Sequence, residues 1–192
     1  MATTSALHLD QTQGSLLVRT LVEGRAARLG HRLTLQIARW TAEVSLTDSQ
    51  PTSAVLRADL TTLEVLDAEG GVTPLTPVDR SIIKRNSAKS MKSKEYPQAT
   101  FDCPQVNVRD ATATEVGEVS LPGSLEIAGK TRPFTATVHA QQTDGVWKLT
   151  TTCTVRQSDF GIEPYSLMVG AMRVGDDVDI DFHASFLADQ LA

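Results

Sequence analysis

The sequence predicts an all-β protein: an antiparallel, up-and-down barrel of about eight strands with one flanking α-helix. Three observations carry that expectation. Apolar and polar residues alternate with period two along most of the chain, as they do in strands with one buried and one wet face. Short turns join the strands, which makes neighbours antiparallel, and such a set can close on itself without exposed edges. Only one stretch, Val78–Met91, reads as a long helix. A two-sheet sandwich meets the same alternation and stays open.

Gly14–Val22 is the first strand, with His8, Leu9 and Asp10 as an extended lead-in. Glu23–His31 favours one or two helical turns ended at Gly30, a residue suited to helix C-termini. Leu33, Leu35 and Ile37 are apolar on odd positions, whereas Trp40, Ala42, Val44 and Leu46 are apolar on even ones. A one-residue shift turns every later side chain to the other face, so the strand needs a bulge or sharp bend near Arg39. Asp48–Thr52 is a turn; Ala54, Leu56, Ala58 and Leu60 form the next strand, continuing through Leu63 and Val65 to a loop at Gly70, Gly71 and Pro74.

The helical stretch shows a thin apolar stripe of Val78, Ile82, Ile83 and Met91 among basic residues, and Asp79 in its first turn suits the helix dipole. Tyr96–Pro97 ends it. Phe101 and Cys103 alternate up to Pro104, then Val106 and Val108 resume on the other parity; a proline there marks an edge or bulge. Glu118–Ala128 and Arg132–Ala140 form strands around the Gly129–Lys130 turn, and Asp144–Gly145 signals a hairpin. In the following strand Trp147, Leu149, Cys153 and Val155 share the inward parity. In the last strand Val178, Ile180, Phe182, Ala184 and Phe186 do so. Between them, Gln157–Gly175 is long for a hairpin and rich in apolar residues, and connections longer than about 12–15 residues are often functional. Phe160, Ile162, Leu167, Met168 and Met172 are therefore expected to cover or line one end of the barrel.

The 192 residues suit one domain over 1–192, with its core at about 9–187. A net charge of −5 argues against a nucleic-acid binder held by charge. Cys103 and Cys153 are too few for a disulfide scaffold and read as small buried residues. No signal peptide is visible and no run of about 20 apolar residues occurs, so the expected location is the cytoplasm. Four scattered histidines lack metal-ligand spacing, and no nucleophile elbow, phosphate loop or dinucleotide fingerprint is present. No cofactor and no metal is therefore expected; Asp177, Asp179 and Asp181 read as the wet face of a strand.

Four motifs in order carry a family resemblance: SKEYPQATFDC, GSLEIAGKTRPFTATV, TVRQSDFGI and VGDDVDIDF, with GRAARLGHRLTL and WTAEVSL before them. From Leu9 to Phe186 the chain resembles the YceI-like family. The resemblance implies a lipocalin-like barrel with a helix beside it and an isoprenoid or other long amphiphile, such as a quinone, in the barrel. It also leaves homodimerisation open. The chain departs from the family in its missing signal, in its aromatic content of 5%, and in Arg32, which stands where an acidic residue often follows the histidine.

Leu35, Ile37, Phe101, Leu125, Phe134, Trp147 and Phe182 are the inward candidates for contact with such a ligand, joined by Phe160, Met168 and Met172 from the long connection. Ordinary core packing explains the same positions. His31, Arg156, Lys84 and Arg85 are candidates for a polar head group, and the basic helix face is a candidate for peripheral membrane contact. The reading is a non-enzymatic binder or carrier. Two rivals are an isomerase or cyclase with His31 and Arg156 or Asp159 converging in the cavity, and a ligand-free interaction protein with a filled interior.

Overall fold

The computed structural model describes residues 2–109 and 117–191. Its strands are β1 (Thr4–Asp10), β2 (Gly14–Glu23), β3 (His31–Ile37), β4 (Trp40–Thr47), β5 (Gln50–Asp59), β6 (Leu63–Gly70), β7 (Gln98–Cys103), β8 (Asn107–Arg109), β9 (Gly117–Ile127), β10 (Lys130–Thr143), β11 (Val146–Arg156), β12 (Ser166–Leu167) and β13 (Met172–Leu187). One helix, α1 (Pro77–Ser90), lies between β6 and β7. All pairings among the described residues are antiparallel, in the order β1-β4-β5-β7-β9-β10-β11-β13-β2-β3-β6.

The higher strand number has a simple cause: bends cut long strands in two. Ile37 faces Leu63 and Trp40 faces Ala58, so β3–β4 and β5–β6 are the two arms of one hairpin. One arm bends at Ala38–Arg39 and the other at the 3-10 turn Leu60–Thr62. Arg39 N donates to Thr62 Oγ1 at 3.0 Å and Asp59 N to the Arg39 carbonyl at 2.9 Å, so the corner keeps its backbone groups paired. The parity change at Arg39 is the sequence trace of this corner. Likewise β1 and β2 run along the same neighbouring arm, with Asp10 opposite Thr41 and Leu17 opposite Gln36. β7 and β8 both lie along β9, interrupted at Pro104. The inward role expected of Val108 lies outside the described side chains. Counted by arms, eight antiparallel segments close through the β13–β2 pairing into a barrel.

Local expectations hold with two adjustments. The turns expected over Glu23–His31 reduce to a single 3-10 turn, Ala27–Leu29. The helix begins with a capping box: Asp79 N donates to Thr76 Oγ1 at 3.2 Å, and Thr76 N donates to Asp79 Oδ2 at 2.9 Å. Inside the barrel two apolar clusters form. One gathers Leu7, Leu16, Ile37, Trp40, Leu46 and Phe186; the other gathers Ala128, Val155, Phe160, Ile162 and Val178. Outside, the acidic row of β13 meets β11. Thr152 and Thr154 donate to Asp181 and Asp179 at 2.7 Å, and Arg156 Nε donates to Asp177 at 2.9 Å. The threonine–aspartate pairs are each worth roughly 0.2–1 kcal/mol.

Two glycines let neighbouring backbones approach closely. A Cβ at Gly123 would run into the Asp102 carbonyl, and one at Gly14 into the His183 carbonyl. Gly123→Ala is expected to lower stability by about 1–3 kcal/mol, read as a shifted urea midpoint at unchanged m. An unshifted midpoint would show that the strands separate freely at this point.

Candidate functional site

Between and above the two clusters the barrel encloses a cavity of about 290 Å³. That is space for about ten waters at roughly 30 Å³ each, close to the lower limit of small-molecule pockets at about 300 Å³. The interior is therefore not fully packed. Leu35, Ile37, Phe101, Leu125, Phe134 and Phe182 line the wall, as their inward parity requires. The room exists because alanines stand at many inward positions, among them Ala42, Ala54, Ala58, Ala99 and Ala136. Trp40, 2% exposed, packs edge-on against Phe182 with ring centroids 5.1 Å apart.

No charged side chain lines this cavity among the described residues. Its polar members are few, and several are already bonded to protein. Thr151 donates to the Thr137 carbonyl at 2.5 Å, Thr20 Oγ1 accepts from Leu33 N at 3.2 Å, and Gln157 Nε2 donates to the Gly175 carbonyl at 2.8 Å. Ser87, Ser90 and Tyr165 supply further hydroxyls. Ser87 and Ser90 belong to α1 and Tyr165 to the long connection, and both elements sit at the same barrel end. The strand register fixes this: His31 is level with Gly70, and Val22 with Val174.

Polar contacts help to hold both elements. α1 has no buried residue; besides its cap, Arg80 Nη1 donates to the Val65 carbonyl at 2.9 Å. It turns Ser87, Ser90 and the C-cap Met91 to the cavity and leaves Val78 and Ile82 exposed, so half of the apolar stripe read from the sequence faces away from the barrel. In the connection, a 3-10 turn Gln157–Phe160 ends on left-handed Gly161, and Ser158 bonds Asp176 through both its N (2.8 Å) and its Oγ (2.6 Å).

The connection's candidates divide. Ile162 and Tyr165 reach the cavity wall. Phe160, 4% exposed, anchors the turn in the second apolar cluster instead of lining the cavity. Leu167 and Met168 are exposed, and Met172 packs towards Gly30. Trp147 points inward but packs on the first cluster, beyond the cavity wall. Parity identifies an inward side chain; it does not say whether that side chain fills or lines.

The four head-group candidates all stand outside the cavity. His31 Nε2 lies 2.9 Å from the Thr73 carbonyl, where the ring steadies the segment entering α1. Arg156 is on the outer face, paired with Asp177; their hydrogen bond raises the arginine and holds the Asp177 carboxyl below its usual range. Lys84 lies 4.0 Å from Glu64, and Arg85 is exposed. Asp159 is exposed, and its carbonyl accepts from Arg132 Nε at 3.0 Å. The convergence a cavity enzyme would need does not form from these residues. Thr151 went unremarked in the sequence although it shares the inward parity of Leu149 and Cys153. Ser87, Ser90 and Met91 were legible only as an i, i+3, i+4 set of small and apolar residues.

A YceI-like domain matches residues 9–186, and the chain belongs to that family. No curated protein matches the sequence. Among solved structures it is similar to a polyisoprenoid binding domain from Saccharophagus degradans implicated in plant cell wall breakdown. That similarity has a TM-score of 0.65 at 12% identity, covering 97% of this chain and 99% of that one. It is also similar to Burkholderia cenocepacia BcnA, with a TM-score of 0.62 at 18% identity, covering 89% and 96%. Campylobacter jejuni YCEI protein gives a TM-score of 0.50 at 11% identity, covering 88% and 80%. At these identities the likeness establishes the lipocalin-like fold.

Two outcomes follow from the titrating groups. Burial first, then the Asp181 and Asp179 carboxylates, push the Cys153 thiol in the cavity wall up to about 11, and burial also raises Cys103. Since a free thiol titrates near 8.5, iodoacetamide at pH 8 should label native Cys153 roughly a hundredfold more slowly than the unfolded chain; equal rates would contradict this. Separately, the Thr76 hydroxyl and amide hold the Asp79 carboxyl below its usual range. A lowered folded value means the cap contributes fully above the unfolded value of roughly 3.9 and is lost as pH falls through the folded one. Protection of the first-turn amides of α1, taken relative to their intrinsic exchange rates, should therefore fall below about pH 4 before that of β9–β11; simultaneous loss would contradict a separable cap.

Proposed function

We propose that this protein binds and carries a neutral, long apolar molecule, an isoprenoid or a quinone-like relative, inside the barrel. The observation that carries the reading is the uncharged wall. A fatty acid drawn fully inside would bury its carboxylate without a cationic partner, which costs far more than hydrocarbon burial returns. A hydroxyl or ketone head needs only one or two hydrogen bonds, and Ser87, Ser90 and Tyr165 stand where such a head would come to rest. Family membership and the polyisoprenoid-binding description of the Saccharophagus degradans domain support the same class.

The energetics are adequate. About ten methylenes at roughly 0.8 kcal/mol each give on the order of 8 kcal/mol before association costs of at least about 4 kcal/mol. Longer chains, part of whose length lies along the mouth, gain more. The protein then acts by sequestering the tail from water, with no bond made or broken.

Ubiquinone provides the test, because it quenches tryptophan and Trp40 touches the wall residue Phe182. Wild type should show saturable quenching. Ala136→Phe, which places a ring in the cavity, should weaken binding by about tenfold or more, equivalent to about 1.4 kcal/mol, without lowering the melting temperature. Equal quenching of both proteins, or tighter binding of a fatty acid than of ubiquinone, would contradict the proposal.

A further inference from the structure

We propose that the α1 end of the barrel docks on an anionic lipid bilayer, with the Met168–Val169 tip inserted among the acyl chains. Exposed large apolar side chains stand on three elements of that end: α1, the long connection and the turn before β3. Val78 is 67% exposed and Met168 60%, Val169 is fully exposed, and Ile82, Leu167 and Leu29 join them. Leu29 belongs to the turn that abuts the tip loop, through Ala26 N donating to the Ala171 carbonyl at 2.9 Å. Isolated exposed apolar residues need no explanation; several at one end of a barrel point to an interaction surface.

The tip itself is built against local preference. Gly170 N donates to the Leu167 carbonyl at 3.1 Å, and Met168 and Val169 take φ of 52° and 55°. Gly170 follows at φ 81°, so three successive residues of the four-residue loop between the paired Leu167 and Met172 stand in the left-handed region that Gly and Asn favour. A β-branched residue at positive φ is strained, and here the strain displays two apolar side chains to solvent.

Charge selects the occupant. The chain carries −5 overall, yet no acidic residue occurs between Arg80 and Lys94. On α1, Arg85 and Lys89 continue the outward stripe of Val78 and Ile82 at i, i+4, i+7 and i+11. Arg25 precedes the turn that carries Leu29, and Arg28 lies within it. Exposed apolar side chains on elements that also carry Arg25, Arg28, Arg85 and Lys89 suit an interface of anionic head groups over hydrocarbon. A second copy packed by two-fold symmetry would set these basic stripes against each other. Exchange of cargo with the bilayer at this end rests on the reading above; docking itself stands on the surface residues.

Flotation with phosphatidylcholine vesicles, with and without phosphatidylglycerol, tests the proposal. Wild type should float only with phosphatidylglycerol and should release at high salt. Met168→Asn with Val169→Gly should raise the melting temperature by about 2–4 °C, since it relieves the turn, while weakening vesicle association by about tenfold or more. Arg85→Glu with Lys89→Glu should abolish the phosphatidylglycerol dependence. Docking is overturned if wild type floats with neither vesicle, if the tip variant floats as well as wild type, or if the tip variant instead dissociates a solution dimer. Lipid extraction of the floated protein separates the two ideas: floating but empty protein supports docking and defeats the cargo reading, whereas filled protein that never floats defeats docking alone.

Discussion

The hairpin from His31 to Gly70 has to turn a corner halfway along both arms, because its upper half pairs β2 and its lower half pairs β7. A straight hairpin would satisfy one neighbour and leave the other edge open. The bend at Ala38–Arg39, answered by the 3-10 turn Leu60–Thr62, lets one pair of strands serve both sides of the seam. In the main strand order of the described residues, closure leaves only β1 and β6 paired on one side and creates an inside. The two apolar clusters, the cavity and the position of α1 follow from that closure.

What the barrel does with its inside depends on side-chain volume. Aromatics make up 5% of the chain, and alanine occupies inward positions on β4, β5, β7 and β10. Such a wall does not meet across the middle. The clusters of Trp40, Leu46 and Phe186 and of Phe160, Ile162 and Val178 supply rigidity, so the space between need not collapse. The hydroxyls of Ser87, Ser90 and Tyr165 stand at one end, on α1 and the long connection. Stability and access are thus separated within one sheet.

Most of the barrel was legible in the sequence because period two records which way each side chain points. The same signal gave Leu35, Ile37, Phe101, Leu125, Phe134 and Phe182 as wall residues. It placed Trp147 inward too, but nothing local distinguishes a residue that fills from one that lines, because that depends on what stands opposite. Phe160, Met168 and Met172 lie in a connection without periodicity, where composition says only that something apolar is needed. The parity change at Arg39 announced a bend, while its role in closure required knowledge of which strands pair. His31 and Arg156 drew attention through their motifs. Their partners, the Thr73 carbonyl and Asp177, are distant in sequence and could not be read from it.

The most direct measurement is mass spectrometry of an organic extract from the full-length protein, purified without detergent. The account predicts a neutral isoprenoid-type lipid at close to one molecule per chain, with the Ala136→Phe protein extracted in parallel and empty. An extract with no lipid, together with no uptake when polyprenol or ubiquinone is offered, would contradict it. So would recovery of an anionic lipid as the principal cargo.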